Sequence, residues 1–184
     1  VLVDQLGVDL LSLAGHKLYA PKGIGALYIR RGVTLARQIH GANHEQDLRA
    51  GTENVLEIAG LGAPCRIAAR DLAAVTPRLA LLRDRLLEGL SARLDGLERN
   101  GHPVECLPNT LSLSFHNLEA NTILAQLEEV AASAGAACHS DSITVSPVLE
   151  AMQVPTEWAM GTIRFSAGKM TTEEEIDRAV AAVI

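Results

Sequence analysis

The chain has 184 residues, of which 48% are hydrophobic and 21% charged, and its formal net charge at pH 7 is −6. This length and balance are typical of a globular chain of one or two domains, and they exclude a disulfide-stabilised miniprotein, a collagen-like repeat and a disordered segment. The acidic balance and the few aromatic residues (one Trp, two Tyr and two Phe) also argue against nucleic acid as a partner.

The apolar runs and the cysteines indicate the compartment. No apolar run approaches the roughly 20 residues that span a bilayer, and the first residues show no basic stretch followed by an apolar one. Three irregularly spaced cysteines, Cys65, Cys106 and Cys138, favour free thiols in a reducing compartment. We therefore expect a cytoplasmic protein without a membrane partner. The chain begins at Val1 and its apolar pattern starts at once, so we also expect it to be part of a longer sequence.

The first 52 residues predict two strands and a loop. Residues 8–13 form an apolar run with little alternation, typical of a strand buried on both faces of a parallel or mixed sheet, and this strand ends at Gly15. The turn Pro21-Lys22-Gly23 separates it from a second strand at residues 26–29, so the two can pair as neighbours. Residues 40–52 are polar and aperiodic, which indicates a functional or interface loop.

Residues 55–97 predict a pair of long helices. Thr76 and Pro77 suit the cap and the first turn of a helix. Leucines at spacings of three and four residues form the apolar stripe of an amphipathic helix. They are Leu79, Leu82, Leu86 and Leu90.

The last third predicts strands that alternate with helices. Residues 111–115 alternate leucine or phenylalanine with serine, as in a half-buried strand, and a helix follows around residues 122–129. Residues 163–165 form another short strand. The C-terminal helix begins near residues 171–175, where Thr171/Glu174 or Thr172/Glu175 can form a capping box.

These elements predict an α/β fold of two units joined by helix. Strand and turn signals dominate residues 1–52, and the strands and helices of the last third form a second group. We place the boundary so that residues 1–70 form one unit and residues 71–184 the other.

Lys17 is a candidate active-site amine because it follows the first strand. Open α/β sheets place ligand sites outside the carboxyl ends of their strands. A lysine in such a crevice loses its proton more readily, and a neutral amine can condense with an aldehyde to form a Schiff base. The alternative is a solvated lysine at a strand end.

Cys138 is a candidate nucleophile within a tract of small residues at 133–142. Such a tract leaves room for a ligand, and the adjacent His139 can lower the thiol pKa. The alternative, a small buried apolar cysteine, is our expectation for Cys65 and Cys106.

Arg164 is a candidate carboxylate ligand. Strand alternation turns it away from its apolar neighbours Ile163 and Phe165, and a guanidinium can bind a carboxylate through two hydrogen bonds. The alternative is an ordinary surface arginine. His40 and His44 lie in a loop sequence rather than on a helix, so we predict no metal site there or elsewhere.

Four sequence blocks together resemble a known family. They are VDLLSLAGHKLYAPKGIGALY at residues 8–28, RAGTEN at 49–54, GAAC at 135–138 and IRFS at 163–166. In this order they resemble the signature blocks of the cysteine desulfurases, which are class-V pyridoxal-phosphate enzymes. The resemblance covers essentially the whole chain and corresponds to the C-terminal half of such an enzyme.

The resemblance implies a pyridoxal-phosphate-dependent transferase fold of type I. Residues 1–70 then form the C-terminal part of the large cofactor domain, and residues 71–184 form a connecting helix and the small α/β domain.

The resemblance also implies a role for each of five residues. Lys17 forms the covalent link to pyridoxal phosphate and later acts as a base, and His16 helps to hold the cofactor phosphate. Thr52 reaches the phosphate of the partner subunit in a homodimer. Arg164 binds the substrate carboxylate, and Cys138 is the nucleophile that accepts sulfur.

The implied reaction converts L-cysteine to L-alanine and leaves a persulfide on Cys138. The sulfur then passes to an acceptor protein, such as an iron–sulfur scaffold, for cluster or thio-cofactor assembly. The tract at residues 135–141 is also similar to that of selenocysteine lyases, so L-selenocysteine is an alternative substrate. A further alternative is an inactive fragment, because the family's ring-stacking His and its pyridine-binding Asp correspond to positions before Val1.

Overall fold

The computed structural model describes residues 2–139 and 142–184, and the side chains of residues 136–139 and 142–143 lie outside that description. The chain divides into two compact units, Val1–Leu72 (unit 1) and Ala73–Ile184 (unit 2). Both contain helices and strands, so the predicted α/β class is confirmed.

Unit 1 is built on a two-stranded antiparallel ribbon. Its elements are α1 (Val3–Leu6), β1 (Leu10–Ala14), a 3-10 helix (Gly15–Leu18), β2 (Gly25–Ile29) and the first part of α2 (Val55–Ser91). β1 and β2 pair along their whole length, which confirms that the two predicted strands are neighbours. Arg30 closes the open end of the ribbon, where it donates to the Val8 carbonyl at 2.9 Å and pairs with Asp9 at 3.0 Å.

The prediction that the first strand is buried on both faces is wrong. Residues along β1 alternate between exposed and half-buried, and β2 begins with three exposed residues. Leu10 and Leu27 remain 44% and 52% exposed. Gly15 is the one buried residue among those that the structure describes in unit 1. The apolar run was misleading because each strand of a two-stranded ribbon has a single neighbour, and burial of both faces needs further layers.

α2 is a single helix of 37 residues, so the predicted pair of helices is also wrong. Its interior contains Pro64 and Pro77, and a proline there lacks the N–H that bonds to the carbonyl four residues earlier. The helix continues because alanine, leucine and arginine, which favour helix, dominate the surrounding sequence. The boundary between the units, after Leu72, falls within it. Within residues 2–139 and 142–184, no helix has both the length and the apolar character needed to cross a membrane.

Unit 2 contains a four-stranded antiparallel sheet with the order β3-β4-β8-β5. Besides the second part of α2, its elements are β3 (Leu97–Arg99), β4 (Thr110–Phe115), α3 (Ala120–Gln126), β5 (Ser133–Ala134), β6 (Ala136–His139), β7 (Ser142–Val145), α4 (Pro147–Ala151), α5 (Thr156–Ala159), β8 (Thr162–Ser166) and α6 (Glu173–Val183). β4, α3, β8 and α6 confirm predicted elements. The others are too short to show a hydrophobic period.

One face of this sheet packs against α2 and α6. Leu111, Leu113 and Phe115 of β4 lie in this core with Ile163 and Phe165 of β8, and none of the five is more than 5% exposed. The leucine stripe predicted on α2 belongs to the same cluster. It consists of Leu79, Leu82, Leu86 and Leu90.

A buried hydroxyl pair joins β4 and β8 on the other face. Ser114 Oγ and Thr162 Oγ1 lie 2.7 Å apart, and Asn100 Nδ2 donates to Ser114 Oγ at 2.8 Å. Thr162 Oγ1 also donates to the Trp158 carbonyl at 3.2 Å. The alternation predicts Ser114 on the open side of a half-buried strand, but it is fully buried. Burial is tolerated because these hydrogen bonds satisfy the hydroxyls.

β5 leads through Gly135 into a separate hairpin formed by β6 and β7. β5 pairs with β8 so that Ser133 lies opposite Arg164. The Gly135 amide donates to the Thr162 carbonyl at 2.6 Å, and a Cβ at position 135 would lie 2.8 Å from the Thr162 Cβ. Only glycine permits this approach, which fixes the point where the hairpin leaves the sheet.

α6 begins with a capping box. Thr172 Oγ1 accepts from the Glu175 amide at 3.2 Å, and Glu175 Oε2 accepts from the Thr172 amide at 2.9 Å, so the second of the two predicted pairs is confirmed. Arg85 on α2 donates two hydrogen bonds of 2.7 Å to the Asp177 carboxylate. These bonds lower the pKa of Asp177.

Candidate functional site

Lys17 and His16 lie side by side on the 3-10 helix that follows β1. Both side chains are exposed, and the helix begins where the strand ends, as the sequence predicts. An exposed amine at a strand end is open to attack on an aldehyde carbonyl. The neighbouring imidazole adds a hydrogen-bonding group beside it.

Gly15 fixes the backbone in front of these two residues. Its amide donates to the Ile24 carbonyl at 2.9 Å, and its carbonyl accepts from the Ala20 amide at 3.1 Å. A Cβ at position 15 would lie 2.7 Å from the Ile24 oxygen, so a larger residue would displace the turn that carries Lys17.

Thr52 lies in the irregular segment predicted at residues 40–52, and its side chain is exposed. Arg49 holds the backbone just before it. Arg49 Nη1 donates to the carbonyls of Ala50, at 3.1 Å, and Gly51, at 2.6 Å. A hydroxyl held on such a backbone can donate to a phosphate oxygen.

Arg37 holds the other side of the same segment. Its guanidinium donates to the carbonyls of Gly41 and Asp47, each at 3.1 Å, and also pairs with the Asp47 carboxylate. Residues 45–47 have φ angles of 49°, 56° and 71°, a conformation that non-glycine residues adopt rarely. Arg37 thus stabilises strained backbone in front of Thr52.

The sequence assigned no role to Arg37 or Arg49, although Arg49 begins the RAGTEN block. The sequence signal for such a role is an arginine next to or inside a polar segment that has neither a helix nor a strand pattern. Such backbone leaves carbonyls unpaired, and long cationic side chains can donate to them.

Glu53 directly follows this segment and adds a carboxylate beside it. Its pKa is lowered because its carboxylate accepts hydrogen bonds from backbone amides, first its own and then that of Glu45 at 3.5 Å. His44 and Arg49 lower it further through their charge. The segment therefore combines fixed negative and positive groups beside Thr52.

Arg164 is exposed in the middle of β8, between the buried Ile163 and Phe165, which confirms the predicted alternation. Its Nη2 donates to Ser133 Oγ on β5 at 3.3 Å. Among the ion pairs of the described residues, none involves Arg164. Among the described residues, its side-chain contact is thus a single hydrogen bond to a neutral hydroxyl.

Cys138 belongs to β6, where it lies opposite Ile143 of β7. Its thiol, like the side chain of His139, lies outside the described residues, so the predicted pairing of these two side chains stays a prediction. The segment that carries it begins at Gly135, whose position is fixed against Thr162.

The other two cysteines differ from the expectation of burial. Cys65 is half-buried on α2, while Cys106 is exposed, so its predicted burial is wrong. Arg83 and Arg99 donate to Cys106 Sγ at 3.2 and 3.1 Å. These two charged donors contact the thiol at the surface. The expectation of burial treated cysteine as an apolar residue and did not include such contacts.

A cleft of about 620 Å³ lies within unit 2, between α2, α6 and the end of β8. Polar groups in its lining include Arg83, Asn109 and Arg178. Arg164 does not line it. The structure therefore brings Lys17 together with His16 in unit 1, and Arg164 together with the strand before Cys138 in unit 2.

The chain matches one protein family over almost its full length. Residues 1–179 match the model of the family described as Aminotransferase class-V. The chain belongs to the class-V aminotransferases. Two solved structures share its fold: a NifS-like protein, 35% identical with a TM-score of 0.87, and a NifS-like protein from Rickettsia africae, 27% identical with a TM-score of 0.88. Each is matched by 98% of this chain, which covers 47% and 48% of the two structures.

Curated relatives in this family carry the name cysteine desulfurase IscS. Those from Pectobacterium atrosepticum and Dictyoglomus turgidum are each 44% identical, over 183 and 179 residues. The alignments cover 98% and 96% of this chain and 45% of each relative, so the chain spans about half the length of the curated relatives it matches. The resemblance to the cysteine desulfurases and the pyridoxal-phosphate-dependent fold of type I are thereby confirmed.

The side chains of unit 1 fit the cofactor that this fold implies. Pyridoxal phosphate carries an aldehyde and a phosphate, and Lys17 offers an exposed amine for the first. His16 and Thr52 offer an imidazole and a hydroxyl that can donate to phosphate oxygens.

Proposed function

We propose that this class-V aminotransferase acts as a cysteine desulfurase, which converts L-cysteine to L-alanine and carries the released sulfur as a persulfide on Cys138. The observation that carries the proposal is the pairing of β5 with β8. It puts Arg164, a guanidinium with no carboxylate partner among the described residues, opposite the strand that leads within five residues to Cys138. A carboxylate-binding group on β8 and a sulfur nucleophile on the segment that follows β5 suit an amino-acid substrate with a thiol.

In the proposed site, Lys17 holds the cofactor covalently, His16 donates to its phosphate, and Thr52 donates to the phosphate in the partner subunit. Pyridoxal phosphate, when bound, supplies an electron sink for charge that develops at the substrate Cα. A free Lys17 amine would remove the Cα proton of the substrate as a general base. Its exposure at the end of β1 supports this role, because the amine must reach both the cofactor and the substrate.

In the same proposal, Arg164 orients the substrate through its carboxylate, and Cys138 takes the sulfur. The Cys138 thiolate attacks the substrate sulfur, so that an S–S bond forms while the Cβ–S bond breaks. The electron pair of the broken bond remains with the carbon skeleton, which takes up protons and leaves as alanine. The persulfide sulfur is then available to an acceptor protein, and we propose an iron–sulfur scaffold as that acceptor.

We further propose that the enzyme is a cytoplasmic homodimer. Apolar side chains are exposed on both sides of the Thr52 segment, namely Ile39 (60%), Val55 (71%) and Leu56 (81%). Apolar surface of this kind is typical of subunit contacts. The free thiols of Cys65 and Cys106 suit a reducing compartment. Within each subunit, residues 1–70 would belong to the large domain and residues 71–184 to the small domain.

The test uses the protein as expressed from its own gene, supplied with pyridoxal phosphate. L-cysteine is added and alanine is quantified by mass spectrometry, with borohydride trapping to identify the lysine that holds the cofactor. We expect alanine from the wild type and a reduced adduct on Lys17. Cys138→Ser should keep the adduct but lose alanine formation, and Lys17→Ala should lose both.

Cys106→Ser is the matched control, because it makes the same change at an exposed thiol on another part of unit 2. It should leave alanine formation unchanged. Undiminished turnover by Cys138→Ser would refute the assigned nucleophile, and an adduct on another lysine would refute Lys17. A preference for L-selenocysteine, with alanine formation independent of Cys138, would favour a selenocysteine lyase instead.

A further inference from the structure

The polar face of the sheet in unit 2 places Arg164 between two serines. Ser133 lies opposite Arg164 on β5, and Ser112 lies opposite it on β4. The two serines are thus equivalent in strand position, one on each side of the arginine. Their contacts are different: Arg164 Nη2 donates to Ser133 Oγ at 3.3 Å, whereas the contact that Ser112 Oγ makes is with Asn100 Nδ2 at 3.5 Å.

The backbone of Arg164 is fixed but its side chain is not, so a hydrogen bond to one hydroxyl can decide how the guanidinium is oriented. Ile163 and Phe165 fix the backbone of β8 in the core, but the arginine side chain itself is exposed and carries many rotatable bonds. A guanidinium binds a carboxylate well only when its flat edge already faces the ligand. The hydrogen bond at Nη2 restricts that orientation, and it is the side-chain contact of Arg164 within the part of the chain that the structure describes.

We infer that Ser133 is a positioning residue that holds the Arg164 guanidinium ready for the substrate carboxylate. This rests on the proposed function, in which Arg164 binds that carboxylate. Ser133 also begins the segment that passes through Gly135 to Cys138. The same hydrogen bond therefore links Arg164 to the strand that precedes the hairpin of Cys138. Ser133 acts through Arg164 and does not itself react.

The inference predicts a defect in substrate binding rather than in chemistry. Loss of an interaction that is equal in the ground state and the transition state raises KM and leaves kcat unchanged. Ser133→Ala should therefore raise KM for L-cysteine about fivefold to tenfold, with kcat within about twofold of the wild type. Ser133→Thr, which keeps the hydroxyl, should restore KM to within about twofold.

Ser112→Ala is the matched control, since it removes the same atom from the same face on the other side of Arg164. It should leave KM unchanged. A merely structural role of the serines would instead lower the melting temperature of both alanine variants and would not separate KM from kcat. An unchanged KM in Ser133→Ala, an equal rise in Ser112→Ala, or no rescue by Ser133→Thr would each overturn the inference.

A second readout does not depend on catalysis. Phenylglyoxal modifies free guanidinium groups, and the rate at Arg164 can be followed by peptide mass spectrometry in the same holoprotein. Ser133→Ala should raise that rate about twofold or more, and Ser112→Ala should not. If the wild type forms no alanine from cysteine, the proposed function fails, while equal phenylglyoxal rates in the two variants show separately that Ser133 does not hold Arg164.

Discussion

In unit 1 the side chains of β1 alternate between exposed and half-buried, whereas in unit 2 the apolar side chains of β4 and β8 are almost completely buried. Among the residues that the structure describes, the buried hydrophobic ones lie between Leu79 and Val180, within unit 2. The proposed cofactor residues therefore belong to a unit held mainly by backbone pairing and arginine contacts. The proposed substrate arginine belongs to a unit with a packed core.

An apolar run predicts that a strand is to be buried, but it does not show which element packs against it. Residues 8–13 and the leucines of β4 have similar hydrophobicity, yet only β4 has a helix layer packed on it within its own unit. We therefore expect substitutions in unit 2 to act on folding, and comparable substitutions in unit 1 to leave folding almost unchanged.

The largest expected effect comes from deleting a core leucine. Leu113→Ala removes a side chain that is 0% exposed and should lower the free energy of unfolding by about 2–5 kcal/mol, because the lost contacts leave a cavity. Leu56→Ala, at a position that is 81% exposed in unit 1, should change it by less than about 0.5 kcal/mol. Urea unfolding followed by circular dichroism measures both, and similar losses in the two variants would contradict the contrast between the units.

A smaller change in the free energy of unfolding, of opposite sign in the two units, is expected when a glycine is replaced by alanine. Gly135→Ala should cost about 1–3 kcal/mol, because its Cβ would lie 2.8 Å from the Thr162 Cβ and 3.0 Å from the Thr162 carbonyl oxygen. Gly62→Ala, inside α2, would place its Cβ 3.6 Å from Arg66 Nη1, an ordinary contact distance, and should stabilise the helix by about 0.5–1 kcal/mol.

Thermal unfolding of the two alanine variants checks these signs. Gly135→Ala should also lower alanine formation, since the displaced residue begins the Cys138 hairpin. Normal stability in this variant would show that the sheet and the hairpin separate more easily than the contact with Thr162 indicates.

The smallest expected effect is the pH dependence of one ion pair in unit 2. The hydrogen bonds from Arg85 lower the pKa of Asp177 in the folded state, so the ion pair contributes stability above the pKa of the unfolded chain. That contribution is lost as the pH falls through the lower, folded pKa. Asp177→Asn should therefore be slightly less stable than the wild type at neutral pH.

Denaturant titrations at neutral and at acid pH would test this ion pair. The difference between Asp177→Asn and the wild type should shrink as the solution becomes strongly acidic. A difference that stays constant with pH would show that Asp177 acts through packing rather than through its charge.

The sequence predicted those features that depend on local pattern. The strand alternation around Arg164, the leucine stripe on α2, the turn after β1 and the Thr172/Glu175 capping box all follow from spacing or from one cap residue. For the site, it proposed Lys17 at the end of a strand, Arg164 on a strand and Cys138 in a tract of small residues. The four blocks added His16 and Thr52, and all five roles stay predictions.

The features that the sequence did not predict depend on contacts between distant residues. Pro77 resembled the start of a helix because its neighbours cannot show that the helix continues through it. Arg37, Arg49 and Ser133 are ordinary polar residues until the fold shows which carbonyl or guanidinium they meet. The exposure of Cys106 likewise depends on two arginines that lie 23 and 7 residues away in the sequence.

The hydroxyl pair of Ser114 and Thr162 also decides which side of the sheet Arg164 occupies. A slip of β8 by one residue against β4 would turn Arg164 into the apolar core and bring Ile163 to the polar face. It would also separate the two hydroxyls and leave a buried polar group without its partner. A contact of modest net strength thus disfavours a competing alignment of the strands, and the observed alignment keeps Arg164, the proposed carboxylate ligand, on the polar face.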